Sequence, residues 1–408
     1  MKMKKTILRY LDYVIYWTII LIPFFLAIAP APVSVFMGFM IAAFLTKKIL
    51  KKEPIFPRTA INWPLLFLLI ITCISLVHSI NYRDSFKGGI GRLVHFGFVF
   101  LILSSEIRNK KHLFKIIFSI CLGLFIASID SLWQVTTGRD FIRGYPAIVN
   151  IGLVRATGSF KDSNLLGIYL SGFTPLVIGL ALFYYKNKKQ IPFIIIGIFA
   201  LAGIILTYSR PTLLAIYLVL VFFALVKKDK ILISFLIIFT LLSPFLLPKA
   251  VSNWAREVEY NPLRFMCNDD RIAAYRNSMN MIKAHPFIGV GANTYMKNYK
   301  QYKENPEYRN VVTQDTMYAH NMYLQMAAEL GIIGFSIFIW LLFKLFSASR
   351  RIFKALKDNY LKILTISLTA CLIAFLVNGL TESSLYYSRV AIIFWYLSGL
   401  LLSLKKFT

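Results

Sequence analysis

Residues 191–230 read IPFIIIGIFALAGIILTYSRPTLLAIYLVLVFFALVKKDK. Two uncharged runs, about 191–208 and 211–226, are each long enough to cross most of a hydrocarbon core of about 30 Å as an α-helix rising about 1.5 Å per residue. Only Thr207-Tyr208-Ser209-Arg210-Pro211 joins them, and Pro211 opens the second run as a helix-starting residue. Lys186, Lys188 and Lys189 precede the pair, and Lys227, Lys228 and Lys230 follow it. Cations at both open ends and a short turn between describe a membrane hairpin whose ends face the lysine-retaining compartment.

The same pattern extends outward over the whole chain. Apolar residues make up 58% and charged residues 16% of 408, a balance that excludes a soluble domain and predicts an all-α polytopic membrane protein. Spans are expected at about 11–29, 32–46, 63–80, 89–104, 113–133, 164–185, 191–208, 211–226, 231–247, 321–346, 361–378 and 389–404, hence about twelve. The second and eighth are the shortest. This divides the chain into helices 1–9 over 1–247, a large outer loop over 248–320, and helices 10–12 over 321–408. The first apolar stretch follows Lys2, Lys4, Lys5 and Arg9 and runs to Ala29 without a small-residue cleavage site, so it is expected to stay as a span.

Lysine clusters at 47–52, 110–111, 186–189, 227–230, 354–357 and 405–406 fall on one side, which makes both termini cytoplasmic. The other side receives segments 79–90, 134–163, 248–320 and 379–388. Arginine runs against lysine: Arg9, Arg58, Arg108, Arg350 and Arg351 lie inside and all the others outside. A guanidinium grips phosphate or carboxylate bidentately, so an arginine-rich outer face suits an anionic ligand, while a solvated, salt-bridged loop is the plainer alternative for any single arginine. The net charge of +28 is mostly the inner lysine set and carries no nucleic-acid motif with it, which excludes nucleic acid as a partner and leaves membrane lipids.

Three outer residues concentrate the chemistry. Arg210 closes one apolar span just before the next begins, at a depth where a charge is expensive unless paired or facing water. Arg271 opens a helix expected over about 270–284, where a cation opposes the helix dipole; Arg264 and Arg276 are nearby. Asp269 or Asp270 is placed to cap that helix, and Ile272, Tyr275, Met279 and Ile282 share a face expected to lie on the bundle. His320 sits where the large loop meets the apolar run from Met322, and its imidazole suits proton transfer near neutral pH, although a capping role is also common there. Gly289 and Gly291 make a turn that either is structural or offers amides to a phosphate. Arg155, Arg264 and Arg389 are further candidates for phosphate or sugar contact. Glu382 is a candidate sugar acceptor or arginine partner, with a structural ion pair to Arg389 the favoured reading. Tyr295, Tyr299, Tyr302 and Tyr308 offer faces for sugar stacking. Asp269 and Asp270 have no histidine set beside them, so no metal or other cofactor is expected.

Four strings carry a family resemblance: Gly158-Ser159-Phe160 with Asp162 and Asn164; Thr207-Tyr208-Ser209-Arg210; Arg271-Ile272-Ala273-Ala274-Tyr275 leading to His285-Pro286-Phe287-Ile288-Gly289-Val290-Gly291; and His320-Asn321 followed by Glu329-Leu330-Gly331-Ile332-Ile333-Gly334. In order and spacing they resemble the bacterial O-antigen ligase and O-antigen polymerase superfamily over about residues 155–400. The resemblance implies a GT-C-like helical fold with one partly helical periplasmic loop, in the inner membrane. It also implies a metal-independent, inverting transfer of a glycan from undecaprenyl pyrophosphate at the periplasmic face. Arg210 and Arg271 would hold the pyrophosphate, and His320 would position or deprotonate the acceptor hydroxyl. A lipid A-core acceptor makes a ligase and a second carrier-linked glycan makes a polymerase; ligase ranks slightly ahead. The compact length, without an added soluble C-terminal domain, disfavours a protein acceptor. A lipid-linked oligosaccharide transporter is the reading from another class, against which stands the lack of an internal repeat.

Overall fold

A computed structural model describes residues 2–150, 152–184, 187–246, 249–257, 259, 261, 269–303 and 316–408. The chain is all-α, with one small antiparallel hairpin. Long helices are α1 (Lys2–Ile28), α2 (Pro30–Lys51), α3 (Asn62–His78), α4 (Tyr82–Glu106) and α5 (Lys110–Thr137). The hairpin β1 (Ile148–Asn150) and β2 (Leu153–Arg155) follows. After it come α6 (Ser163–Phe183), α7 (Lys188–Leu206), α8 (Arg210–Lys227), α9 (Lys230–Leu246), α10 (Lys249–Glu257), α11 (Asp269–Ala284) and α12 (Tyr295–Asn298). The chain ends in α13 (Met322–Ala355), α14 (Asn359–Asn378) and α15 (Ser388–Phe407).

Among the described residues ten helices are long and apolar enough to span a membrane, while α3 and α9 are apolar but shorter. The two shortest spans were expected second and eighth; they are the third and ninth. The reason is visible at α2, which has 22 residues because it continues past its apolar stretch through Lys47 and Lys48. Lys47 is fully buried, with its Nζ 2.5 Å from both Asp12 and Glu106. A paired lysine extends a helix that a hydropathy window cuts short.

The most buried spans are α6 and α15. In α6, glycines permit contacts no side chain would allow: a Cβ on Gly167 would lie 2.4 Å from Thr212 Oγ1 of α8, and one on Gly179 2.1 Å from Ser367 Oγ of α14. In hydrocarbon, where no hydrophobic drive brings helices together, such small-residue faces and interhelical hydrogen bonds do that work. Asn378 supplies the bonds here, donating to Ser171 Oγ (3.0 Å) and accepting from Thr212 Oγ1 (3.0 Å). This ties α6, α8 and α14 together just below the connections at the end opposite the lysine clusters.

The helix expected over 270–284 is present as α11, packed on α13. Its buried face is not the one expected. Met279 is 45% exposed, and the covered positions are Ala274, Asn277, Ser278 and Met281. Ser278 Oγ meets the Tyr295 hydroxyl at 2.7 Å, and that hydroxyl donates to Ala274 O at 3.0 Å. Tyr295 and Tyr299 are fully buried in this small core, so they present no stacking face to a sugar, and Tyr308 lies outside the described residues.

The turn after α11 is spliced into a break in α13. Gly331 has φ 68°, ψ −179° inside that helix, and the freed carbonyls of Ala328 and Glu329 accept from Val290 N (2.9 Å) and Gly291 N (3.1 Å). In return Ile332 N donates to Pro286 O at 2.8 Å. The Gly291 amide, offered as a phosphate contact, is therefore used in holding the loop to the bundle. The structural alternative for this turn is the one observed.

Candidate active site

Three connections that are far apart in sequence, at the end of the bundle opposite the lysine clusters, meet at the carboxylate of Glu382. That residue follows α14, with its N–H donating to Asn378 O at 3.0 Å, and is 2% exposed. Its Oε1 accepts from Asn164 Nδ2 at 2.9 Å and from the Arg271 guanidinium. Its Oε2 faces His320 Nδ1 at 3.2 Å. Burial pushes the Glu382 carboxyl up, but the His320 hydrogen bond and the charges of Arg271, His320 and Arg155 outweigh it and hold the group below the ordinary carboxylate value. An ionised carboxylate can only accept, so His320 directs a proton on Nδ1 to Glu382, and in the neutral imidazole that tautomer leaves Nε2 as the acceptor.

Each member is positioned by its own local structure. Asp162 caps α6, accepting from Asn164 N (2.8 Å) and Leu165 N (2.9 Å), which fixes Asn164 in the first turn. Burial raises the Asp162 carboxyl, with the Leu165 hydrogen bond opposing. Arg155, at the end of β2, donates from Nε to Thr207 O at 2.9 Å and from a terminal nitrogen to Asn164 Oδ1 at 3.2 Å. Burial lowers the Arg155 pKa, Arg271 pushes the same way, and Asp162 and Glu382 oppose. His320 has φ 46°, a left-handed backbone that costs a non-glycine residue about 1 kcal/mol or more. Its neighbours enforce it: Asn321 caps α13 on Tyr323 N and Leu324 N at 3.0 Å each, Met322 N donates to Gly379 O at 2.8 Å, and the Tyr275 hydroxyl donates to His320 O at 3.2 Å.

Arg210 is the first residue of α8 and half-buried. Its turn is clamped from two sides, by Arg155 on Thr207 O and by Asn378 on Thr212. Tyr208, with φ 47°, makes the sharp reversal between the spans. Arg271, His320 and Arg155 therefore belong to one hydrogen-bonded framework at one end of the bundle, and Arg155 also holds the turn that leads into Arg210.

Residues 172–339 match the family model described as O-antigen ligase. This segment belongs to the O-antigen ligase/polymerase superfamily. It runs from α6 into α13 and contains Arg210, Arg271 and His320, while Arg155, Asn164 and Glu382 lie beyond it. No curated protein matches the chain. Membership implies a glycosyltransferase-like ligase or polymerase activity, with lipid-linked glycans as substrates in a membrane setting.

The favoured ion pair between Glu382 and Arg389 does not form. Arg389 instead donates to the carbonyls of Leu26 (3.0 Å), Ala27 (2.9 Å) and Ser159 (2.5 Å), and its guanidinium lies 3.5 Å from the Phe160 ring centroid. It closes the open carbonyl end of α1 onto the Gly158–Phe160 turn, because a helix C-terminus buried against protein needs donors that its own backbone lacks. Arg264 lies outside the described residues. Two contributors had no role assigned to them from the sequence. Asn164 was visible only as part of a motif. Glu329, 2% exposed within α13, accepts from Asn293 N (2.6 Å), Tyr295 N (3.2 Å) and Gln325 Nε2 (3.2 Å), and so anchors the loop. An ionisable residue inside an apolar span was the signal that marked it.

Proposed function

We propose that the protein transfers a glycan from a polyprenyl pyrophosphate, undecaprenyl pyrophosphate by family likeness, to an acceptor hydroxyl at the outer, periplasmic face of the inner membrane. The observation that carries this is the Glu382 junction: one carboxylate orients His320 and Arg271 together, with Arg155 and the Arg210 turn in the same network. In this mechanism His320 Nε2 takes the proton of the acceptor hydroxyl as its oxygen bonds to the anomeric carbon. The bond from that carbon to the pyrophosphate oxygen breaks on the opposite face, which inverts the centre. Arg210 and Arg271 hold the diphosphate and stabilise the charge that grows on it as it leaves. Glu382 does not touch the reacting atoms; it fixes the imidazole tautomer, as the buried acid of a catalytic triad does.

The test is turnover by purified protein in detergent without added metal, with carrier-linked glycan as donor and polyprenyl pyrophosphate release as the readout. Lipid A-core and a second carrier-linked glycan are offered in separate reactions. We favour the ligase outcome, glycan joined to lipid A-core; chain extension on the carrier instead identifies a polymerase. Release with neither acceptor would overturn the reading.

A further inference from the structure

A second built feature lies away from the outer site, between α3 and α4. A cavity of about 700 Å³ is walled by Leu65, Leu66 and Leu69 of α3 and by Leu93, Val94 and Phe98 of α4. It opens sideways, with Leu66 45% exposed and Trp63 66% exposed. α3 packs mainly on α13, which leaves its opposite flank standing off α4. One end of the groove is polar and lies on the lysine-rich side, formed by Arg58, Thr59 and Asn62. Asn62 Nδ2 donates to Pro57 O at 2.6 Å, and the Thr59 and Asn62 side chains bond each other, so the turn presenting Arg58 is fixed. Arg58 itself is exposed and, among the described residues, has no hydrogen bond or ion pair.

We infer that this groove holds an acyl chain of an anionic phospholipid from the leaflet on the lysine-rich side, with the lipid phosphate against Arg58. A void lined with hydrocarbon and open to hydrocarbon offers water no partners, whereas a chain recovers the dispersion contacts its walls otherwise lack. An arginine at the interface, next to Trp63, supplies the fork that phosphate favours and the aromatic contact typical of headgroup depth. The pattern recurs in a cavity of about 580 Å³ between α5 and α7, where Phe118, Leu122, Phe193 and Ile196 form apolar walls and Lys189 and Tyr360 mark the same side. The inference rests on the lysine-rich side facing the anionic leaflet and is independent of glycan transfer.

Native mass spectrometry of the detergent-purified protein, mixed with phosphatidylglycerol or phosphatidylcholine of the same chain length, tests it. Wild type is expected to retain phosphatidylglycerol about fivefold more than phosphatidylcholine. Arg58→Gln, at an exposed position that leaves the fold intact, lowers the number of tightly held phosphatidylglycerol molecules by one. Gly97→Leu fills the groove from α4, where an added Cβ meets only Leu65 Cδ2 at 3.8 Å, and removes the same molecule. Unchanged lipid counts in both variants, or equal retention of the two lipids, overturn the assignment.

Discussion

Glu382 separates two kinds of contribution that a single substitution at Arg271 would mix. Arg271→Ala removes a cation from the proposed pyrophosphate grip and also strands a carboxylate that is 2% exposed, a loss of about 3–5 kcal/mol for a broken buried pair. The double variant Arg271→Gln with Glu382→Gln leaves no buried charge unpaired at this contact, so its melting temperature is expected to return toward wild type while donor affinity stays weak. Recovery of both would remove Arg271 from donor binding. His320→Ala is expected to lower pyrophosphate release by about 10²–10⁴-fold while donor binding survives, and full turnover would exclude the imidazole from the chemistry. Because Glu382 is held below its ordinary value, its pairing is complete above about pH 4.3 and is lost only as pH falls through the lowered folded value. Activity changes between pH 5 and 8 are therefore not titrations of Glu382, and a Glu382→Gln variant is expected to lose rate across that whole range, read as kcat at each pH.

The splice between the 286–291 turn and α13 is the device that joins the large loop to the helical bundle. A Cβ on Gly331 would stand 2.1 Å from Phe287 O, at a φ of 68° that already disfavours a side chain. Gly331→Ala is expected to cost about 3 kcal/mol or more in strain and lost backbone bonds, read as faster hydrogen exchange over residues 286–291 and a lower melting temperature. Beside it the His285 ring lies tilted against that of His78, 4.6 Å between centroids, and meets the Tyr302 hydroxyl at 3.1 Å. Burial first, then His78, depress the His285 pKa. A depressed imidazole stabilises the fold fully above its ordinary value of about 6.5 and loses that contribution as pH falls below it. Protection factors over residues 281–291, the exchange rates divided into the intrinsic rates at each pH, should therefore fall between pH 7.5 and 5.5 in wild type and change less in His285→Gln. The sequence announced α11 almost to the residue through its acidic start and His285-Pro286 stop. It did not announce which face is buried, because that face is made of small and polar positions whose cover, Tyr295 and Tyr299, comes from the following turn. Likewise the partner of Glu382 could not be read from proximity in sequence: Arg389 is seven residues away but is drawn to the open end of α1, while Arg271 reaches the carboxylate from a distant loop.

Across the molecule, the split between lysine and arginine was legible because orientation in a bilayer is written in loop charge, whereas span lengths were not, because ion pairs such as that of buried Lys47 with buried Glu106 and half-exposed Asp12 carry helices past their apolar stretch. The same split makes a prediction on which the transfer reading depends. Arg155, Arg271, His320 and Glu382 all belong to connections at the end opposite the lysine clusters, so a single orientation governs them together. With the native cysteines replaced, a cysteine at the exposed hairpin position Asn150 is expected to react with a membrane-impermeant maleimide in intact spheroplasts. A cysteine at Lys189, exposed on the lysine-rich side, should react only after permeabilisation. Turning the molecule over would reverse both results and would bring the Glu382 junction into the cytosol, where an acceptor assembled beyond the membrane could never meet it. Labelling of Lys189→Cys in sealed cells with protection of Asn150→Cys would thus remove the proposed reaction at once, whatever the geometry of the side chains.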